Sequence, residues 1–104
     1  MDYKQRDQLL ADFIHSLEPM LEKYDLDDIG IYEEEGQGSN YFMGYTIRKD
    51  GKAFMINRPY VKNENKELAL EKDEWTIQTD EGDEVKGIQS MEEVFEKINN
   101  GILH

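Results

Sequence analysis

The stretch Tyr41-Phe42-Met43-Gly44-Tyr45-Thr46-Ile47-Arg48-Lys49-Asp50-Gly51-Lys52-Ala53-Phe54-Met55-Ile56 carries alternating apolar side chains on both sides of one Asp-Gly pair. A period of two is the signature of a strand, and Asp-Gly tolerates the positive φ that a two-residue type I′ turn needs at both central positions. The stretch therefore reads as a β-hairpin, and its turn sets the register. Ile47 faces Phe54, Tyr45 faces Ile56 and Thr46 faces Met55, which gives one sheet face rich in large apolar groups. The opposite face keeps Phe42, Ala53 and Met55. A solvated face is normally more polar than that, so either helices cover parts of both faces or a partner covers one of them.

Outward from the hairpin, Ile29 and Ile31 on one side and Trp75 and Ile77 on the other continue the two-residue period. Glu81-Gly82 predicts a second hairpin from Glu74 through Thr79 into Val85 to Ile88, and Arg58-Pro59 predicts the end of the strand before it. Residues 63–72 are ambiguous. Leu68 and Leu70 alternate, yet the residues around them are strong helix formers; the reading adopted is a strand paired with the Trp75 strand.

The ends of the chain change period. Leu9, Leu10, Phe13, Ile14, Leu17, Met20, Leu21 and Tyr24 recur at steps of three and four, as on one face of an amphipathic helix. The phase runs past Pro19, which predicts one helix kinked near His15, with Asp2 and Gln5 as a capping pair. Ser90-Met91-Glu92-Glu93 is a capping box that opens a helix carrying Val94, Phe95 and Ile98. Asn99-Asn100-Gly101 stops it, and Ile102 is expected to fold back onto it. The predicted architecture is α+β: an antiparallel sheet of about five strands flanked by an N-terminal and a C-terminal helix, as one domain over residues 1–104.

Composition narrows the function classes. The 104 residues include no cysteine, so neither disulfides nor thiolate metal sites are available and a reducing cytoplasm is the expected compartment. The opening residues lack the apolar stretch of a signal peptide, and no apolar run approaches the roughly 20 residues of a membrane span. With 38% hydrophobic and 11% aromatic residues the chain is globular, despite 24 acidic residues against 12 basic ones and a net charge of -12.

That acidity is arranged in blocks. No Lys or Arg occurs from Tyr24 to Ile47, where Asp25, Asp27, Asp28, Glu33, Glu34 and Glu35 lie. A second base-free stretch holds Asp73, Glu74, Asp80, Glu81, Asp83 and Glu84. The bases gather at Arg48, Lys49, Lys52, Arg58 and Lys62. Acidic blocks repel nucleic acid and anionic membranes and steer a basic protein surface, although solvated turns that keep a small domain soluble have the same composition. Mimicry of a phosphate ladder requires a regular array, which these clustered acids do not form.

No catalytic constellation is recognisable. Ser16, Ser39 and Ser90 sit in no nucleophile elbow, and His15 and His104 are the only imidazoles, one beside an apolar helix face and one terminal. Asp80-Glu81-Gly82-Asp83-Glu84 lacks the alternating ligands and closing Glu of a calcium loop. Gly36-Gln37-Gly38-Ser39-Asn40 precedes a strand, not the helix N-terminus that a phosphate cradle uses, and reads as a hairpin loop. No cofactor or metal is therefore expected. Trp75 reads as a packing anchor between sheet and helix. The expected function is non-catalytic binding of a basic protein partner or of a second copy in a homodimer. The candidate residues are Asp27, Asp28, Glu33, Glu34, Glu35, Phe42, Met55, Asp80, Glu81, Asp83 and Glu84. The alternative is a small-molecule-binding or regulatory domain with a cleft between sheet and helix.

Overall fold

In the computed structural model, residues 2–101 are described. The Asp50-Gly51 turn has φ of 52° and 78°, the left-handed values of a type I′ turn. It joins β2 (Asn40–Lys49) to β3 (Lys52–Lys62). Ile47 pairs with Phe54, Thr46 with Met55 and Tyr45 with Ile56, the register expected from the turn. The preceding strand β1 (Asp28–Glu35) pairs antiparallel with β2. After β3 come β4 (Leu68–Leu70), β5 (Trp75–Thr79) and β6 (Glu84–Ile88). The sheet has six strands, ordered β1-β2-β3-β5-β6, with β4 paired to β3 off that path.

Two strand predictions need correction. Residues 68–70 do form a strand, but its partner is β3, through Tyr60, Val61 and Lys62, not the Trp75 strand. Nor does Arg58-Pro59 end β3. The ladder from β3 to β5 stops at Asn57 opposite Thr76, and the ladder to β4 starts at Tyr60 opposite Leu70. Pro59 lies in the gap between them. Its carbonyl points to that side, where it accepts the Glu71 N–H at 3.0 Å, so the N–H that proline lacks would also have fallen there. The β2 ladder loses nothing, and the strand runs on.

The N-terminal helix bends at Ser16, one residue after His15, into α1 (Arg6–His15) and α2 (Leu17–Lys23). Pro19 cannot donate to the His15 carbonyl, and Ser16 Oγ satisfies Phe13 O at 2.9 Å while meeting Tyr45 Oη at 2.5 Å. No Asp2–Gln5 capping pair forms: Gln5 is the N-cap and makes no side-chain cap bond. Instead the N-terminal segment is drawn into the sheet, where Lys4 exchanges two 2.8 Å backbone bonds with Leu68. At the other end, Ser90 Oγ accepts Glu93 N–H at 3.1 Å at the start of α3 (Met91–Asn100), and Gly101 closes it at a φ of 88°. The predicted fold-back of Ile102, and His104, lie outside the described residues.

All three helices pack on one face. Phe13, Met20, Val94 and Phe95 share a buried cluster with Met43, Tyr45, Ile47, Phe54, Ile56, Ile77 and Ile88, which alternate to that side of their strands. Tyr24 at the end of α2 stacks on Phe95 of α3 with ring centroids 3.8 Å apart, joining the two ends of the chain. Met43, Ile56, Ile77, Val94 and Phe95 are at most 2% exposed, so the space between sheet and helices is filled. Among the described residues, no helix is long and apolar enough to cross a membrane.

Candidate functional site

The face turned away from the helices is built by the alternate residues of the same strands. β1 contributes Asp28, Gly30, Tyr32 and Glu34, opposite Arg48, Thr46, Gly44 and Phe42 of β2. β3 contributes Ala53, Met55, Asn57 and Pro59, and β5 adds Thr76 and Gln78. Its centre is lowered by Gly44. A Cβ there would lie 1.9 Å from Ile56 O and 2.7 Å from Asn57 Cα, so β2 and β3 approach as closely as only glycine allows. Tyr32, directly across from Gly44, has no facing side chain and stands as one wall of the depression.

That depression is a cleft of about 250 Å³. Tyr32, Phe42 and Pro59 form its apolar walls, with Asn57, Thr76 and Gln78 as polar groups between them. Its rim carries four carboxylates, Glu34, Glu71, Glu74 and Glu84, against two ammonium groups, Lys72 and Lys86. Tyr32 Oη donates to Glu34 Oε2 at 2.7 Å. Burial, reinforced by that carboxylate, pushes the Tyr32 phenol up to about 12, so it stays a donor at neutral pH. A line of amides crosses the cleft: Asn57 Nδ2 donates to Gln78 Oε1 at 3.3 Å, and Gln78 Nε2 donates to Glu84 Oε2 at 3.0 Å. Lys86 lies 3.3 Å from Glu84 in an exposed pair.

A second cleft of about 250 Å³ occupies the end of the same face near the Asp50-Gly51 turn. Asp28, Arg48, Met55 and Asp80 line it. The candidates predicted from the sequence thus divide. Glu34, Phe42 and Glu84 line the first cleft; Asp28, Met55 and Asp80 line the second. Asp27 is exposed just before β1, where its N–H bonds Arg48 O. Glu81 and Asp83 lie in the β5–β6 turn, where the Asp83 carbonyl accepts the Thr79 N–H and the Asp83 N–H donates to Thr79 Oγ1. The acids do not form one surface: Asp28 and Asp80 lie near the β2–β3 turn, and Glu33 to Glu35 at the far end of β1.

Glu33 and Glu35 face the helix side and are engaged within the molecule. Glu33 grips the Arg6 guanidinium through both carboxylate oxygens, Oε1 at 2.7 Å from Nη2, and accepts the Tyr41 hydroxyl at 2.5 Å. The Arg6 hydrogen bond, aided by Tyr41, holds the Glu33 carboxyl below its ordinary range. Lys62 does the same for Glu35 across 2.6 Å. The Glu33 contacts tie α1 to the β1–β2 hairpin, and the Glu35 pair ties the end of β1 to β3, with the Glu35 side chain still 64% exposed.

The candidates from the sequence did not include Asn57, Gln78 or Glu71, nor Tyr32 and Glu74, although Tyr32 is one of the tyrosines whose apolar body and polar tip suit a surface contact and Glu74 belongs to the second acidic block. Asn57 left a trace: it is the polar residue on the otherwise apolar Met55 side of β3, and it is 6% exposed. Among the described residues no group of three or more His, Asp or Glu side chains could hold a metal ion. Residues 3–98 match the model of a family described as "Family of unknown function (DUF5634)". A search of the curated proteins finds no match to the chain.

Proposed function

The chain belongs to this family of unknown function, and we propose that it is a non-catalytic binding module whose open sheet face receives a basic segment of a partner protein. The observation that carries this reading is the uncovered face itself, with aromatic and apolar side chains at its centre and carboxylates outnumbering ammonium groups on its rim. A helix or a solvated polar surface normally occupies such a position on an antiparallel sheet. At about 250 Å³ the cleft is smaller than the roughly 300–1,000 Å³ of small-molecule sites, which favours a surface contact over an enclosed ligand. The net charge of -12 steers a basic chain toward it and opposes a phosphate backbone.

The test is an NMR titration with a lysine- and arginine-rich peptide and with an acidic peptide of the same length. The basic peptide is expected to shift Tyr32, Phe42, Thr76 and Gln78, more weakly at high salt, and to lose its effect in the Glu34→Lys, Glu84→Lys double variant. Shifts confined to the helix side, or none, would sink the reading. A second reading, self-association, is favoured by the second cleft alone, where Arg48 and Met55 lie between Asp28 and Asp80. Light scattering separates the two: a dimer that survives high salt and is lost on Met55→Glu supports self-association.

A further inference from the structure

We infer that the cleft around Asn57 is a subsite for one arginine side chain of the basic segment, with Asn57 Oδ1 as the acceptor on its floor. This rests on the binding-face reading and goes one step further, to the chemical group recognised. The argument starts at Glu84. An ionised carboxylate can only accept, so the Gln78 group facing it at 3.0 Å is the NH2 end, and Gln78 Oε1 is turned toward Asn57. Asn57 must answer with Nδ2, at 3.3 Å. Its oxygen is then left over on a side chain that is only 6% exposed. Arg58 Nε is the sole fully buried side-chain atom without a partner among the described residues, so the Asn57 oxygen is open to the cleft that it lines.

An acceptor that opens into the cleft from a nearly buried side chain is available to a ligand's N–H and fixes the place from which that donor must come. The surroundings say which N–H. Glu34 and Glu74 add negative charge, and the Tyr32 and Phe42 rings supply flat apolar walls. A guanidinium has five donors in one plane, stacks on aromatic faces and is weakly hydrated, whereas an ammonium is a strongly hydrated point charge. Glu84 is partly neutralised by Lys86 at 3.3 Å, so Lys86 competes with an incoming cation.

The experiment uses short glycine–serine peptides with one central arginine, lysine or citrulline, with the Asn57 and Gln78 side-chain NH2 signals as reporters. The arginine peptide is expected to move both signals and to bind at least about 10-fold more tightly than its neutral citrulline counterpart, with lysine between them. Asn57→Ala is expected to weaken the arginine peptide about 10-fold while its lead over citrulline, set by the Glu34 and Glu74 carboxylates, persists, and Lys86→Gln is expected to tighten binding. Should Asn57→Ala fail to fold, Glu34→Gln on the exposed rim tests the same preference. Equal binding of arginine and citrulline peptides would overturn the inference. So would an unchanged arginine affinity in Asn57→Ala. If the multiply basic peptide still shifts the open face in either case, the broader reading stands; if it does not, both fall together.

Discussion

Along β3 the side chains leave alternately for two faces with different fates. Phe54, Ile56 and Tyr60 are 6%, 0% and 5% exposed beneath the helices, while Ala53, Met55 and Pro59 are half-buried with only the sheet around them. The difference is not one of hydrophobicity alone, since methionine and proline are as apolar as much of the core. What separates the faces is what each can be filled with. The helix side takes large complementary groups from three helices, whereas Gly30, Gly44 and Ala53 hollow the other side and leave room above it.

The sharpest way to break this contrast is to truncate neighbours on opposite faces. Ile56→Ala, in a fully packed setting, is expected to lower the unfolding free energy by about 2–5 kcal/mol, and Met55→Ala by about 1 kcal/mol or less. Urea denaturation of both variants decides it. Comparable losses would mean that the open face contributes to the core as strongly as the covered one, and its claim to be a binding surface would weaken. A stable Met55→Ala protein with impaired binding of basic peptide would sharpen it.

The next effect tests the hollow itself. Gly44→Ala places a methyl group 1.9 Å from the Ile56 carbonyl, an atom of the backbone that cannot swing aside. The strands must separate, at an expected cost of about 3 kcal/mol, and the same urea experiment reads it. Gly44→Ala at the cost of an ordinary surface change, within about 0.5 kcal/mol, would show that β2 and β3 do not approach so closely. Gly51→Ala would be strained for a different reason, its φ of 78°, with nothing within 4 Å of the added Cβ.

These two residues also mark how far local sequence reaches. Asp50-Gly51 states its turn and its register within two positions, and Ser90 with Glu93 states a helix start, because each is satisfied by atoms a few residues away. Period-two and period-three-to-four patterns assigned strands and helices for the same reason. Nothing local tells β4 whether to join β3 or β5; the gap left opposite Pro59 decides that, and it exists only once β3 and β5 have paired. Nor does alternation reveal which face three helices will cover. The candidate site suffered accordingly. Charge blocks pointed to Glu34, Glu84, Asp28 and Asp80, which do lie on the open face, but equally to Glu33 and Glu35, which the parity of β1 turns to the other side. Asn57 and Gln78 carry no charge, and only the folded sheet brings them together across 21 positions.

The smallest expected effect concerns that parity in β1. Glu33 and Glu34 are adjacent and chemically identical, yet Glu33 is bound by the Arg6 guanidinium and the Tyr41 hydroxyl, while the Glu34 carboxylate accepts the Tyr32 hydroxyl. The carboxyl of Glu33 is held below its ordinary 4.5, by the Arg6 bond first and Tyr41 second. A depressed folded-state value contributes stability that is fully present above the unfolded value and disappears as pH falls through the folded one. The wild type should therefore exceed Glu33→Gln at neutral pH, by no more than about 1 kcal/mol because Arg6 is 47% exposed and the pair is screened. The two curves should meet on the acid side of 4.5. Glu34→Gln should stay within about 0.5 kcal/mol of the wild type at neutral pH and weaken the binding of basic peptide. If Glu33→Gln runs parallel to the wild type across the acid window, the clamp contributes nothing measurable, and the acids of the two faces differ in position alone. If the Glu33→Gln curve converges while Glu34→Gln changes peptide binding, one strand divides its carboxylates between holding the fold together and facing a partner.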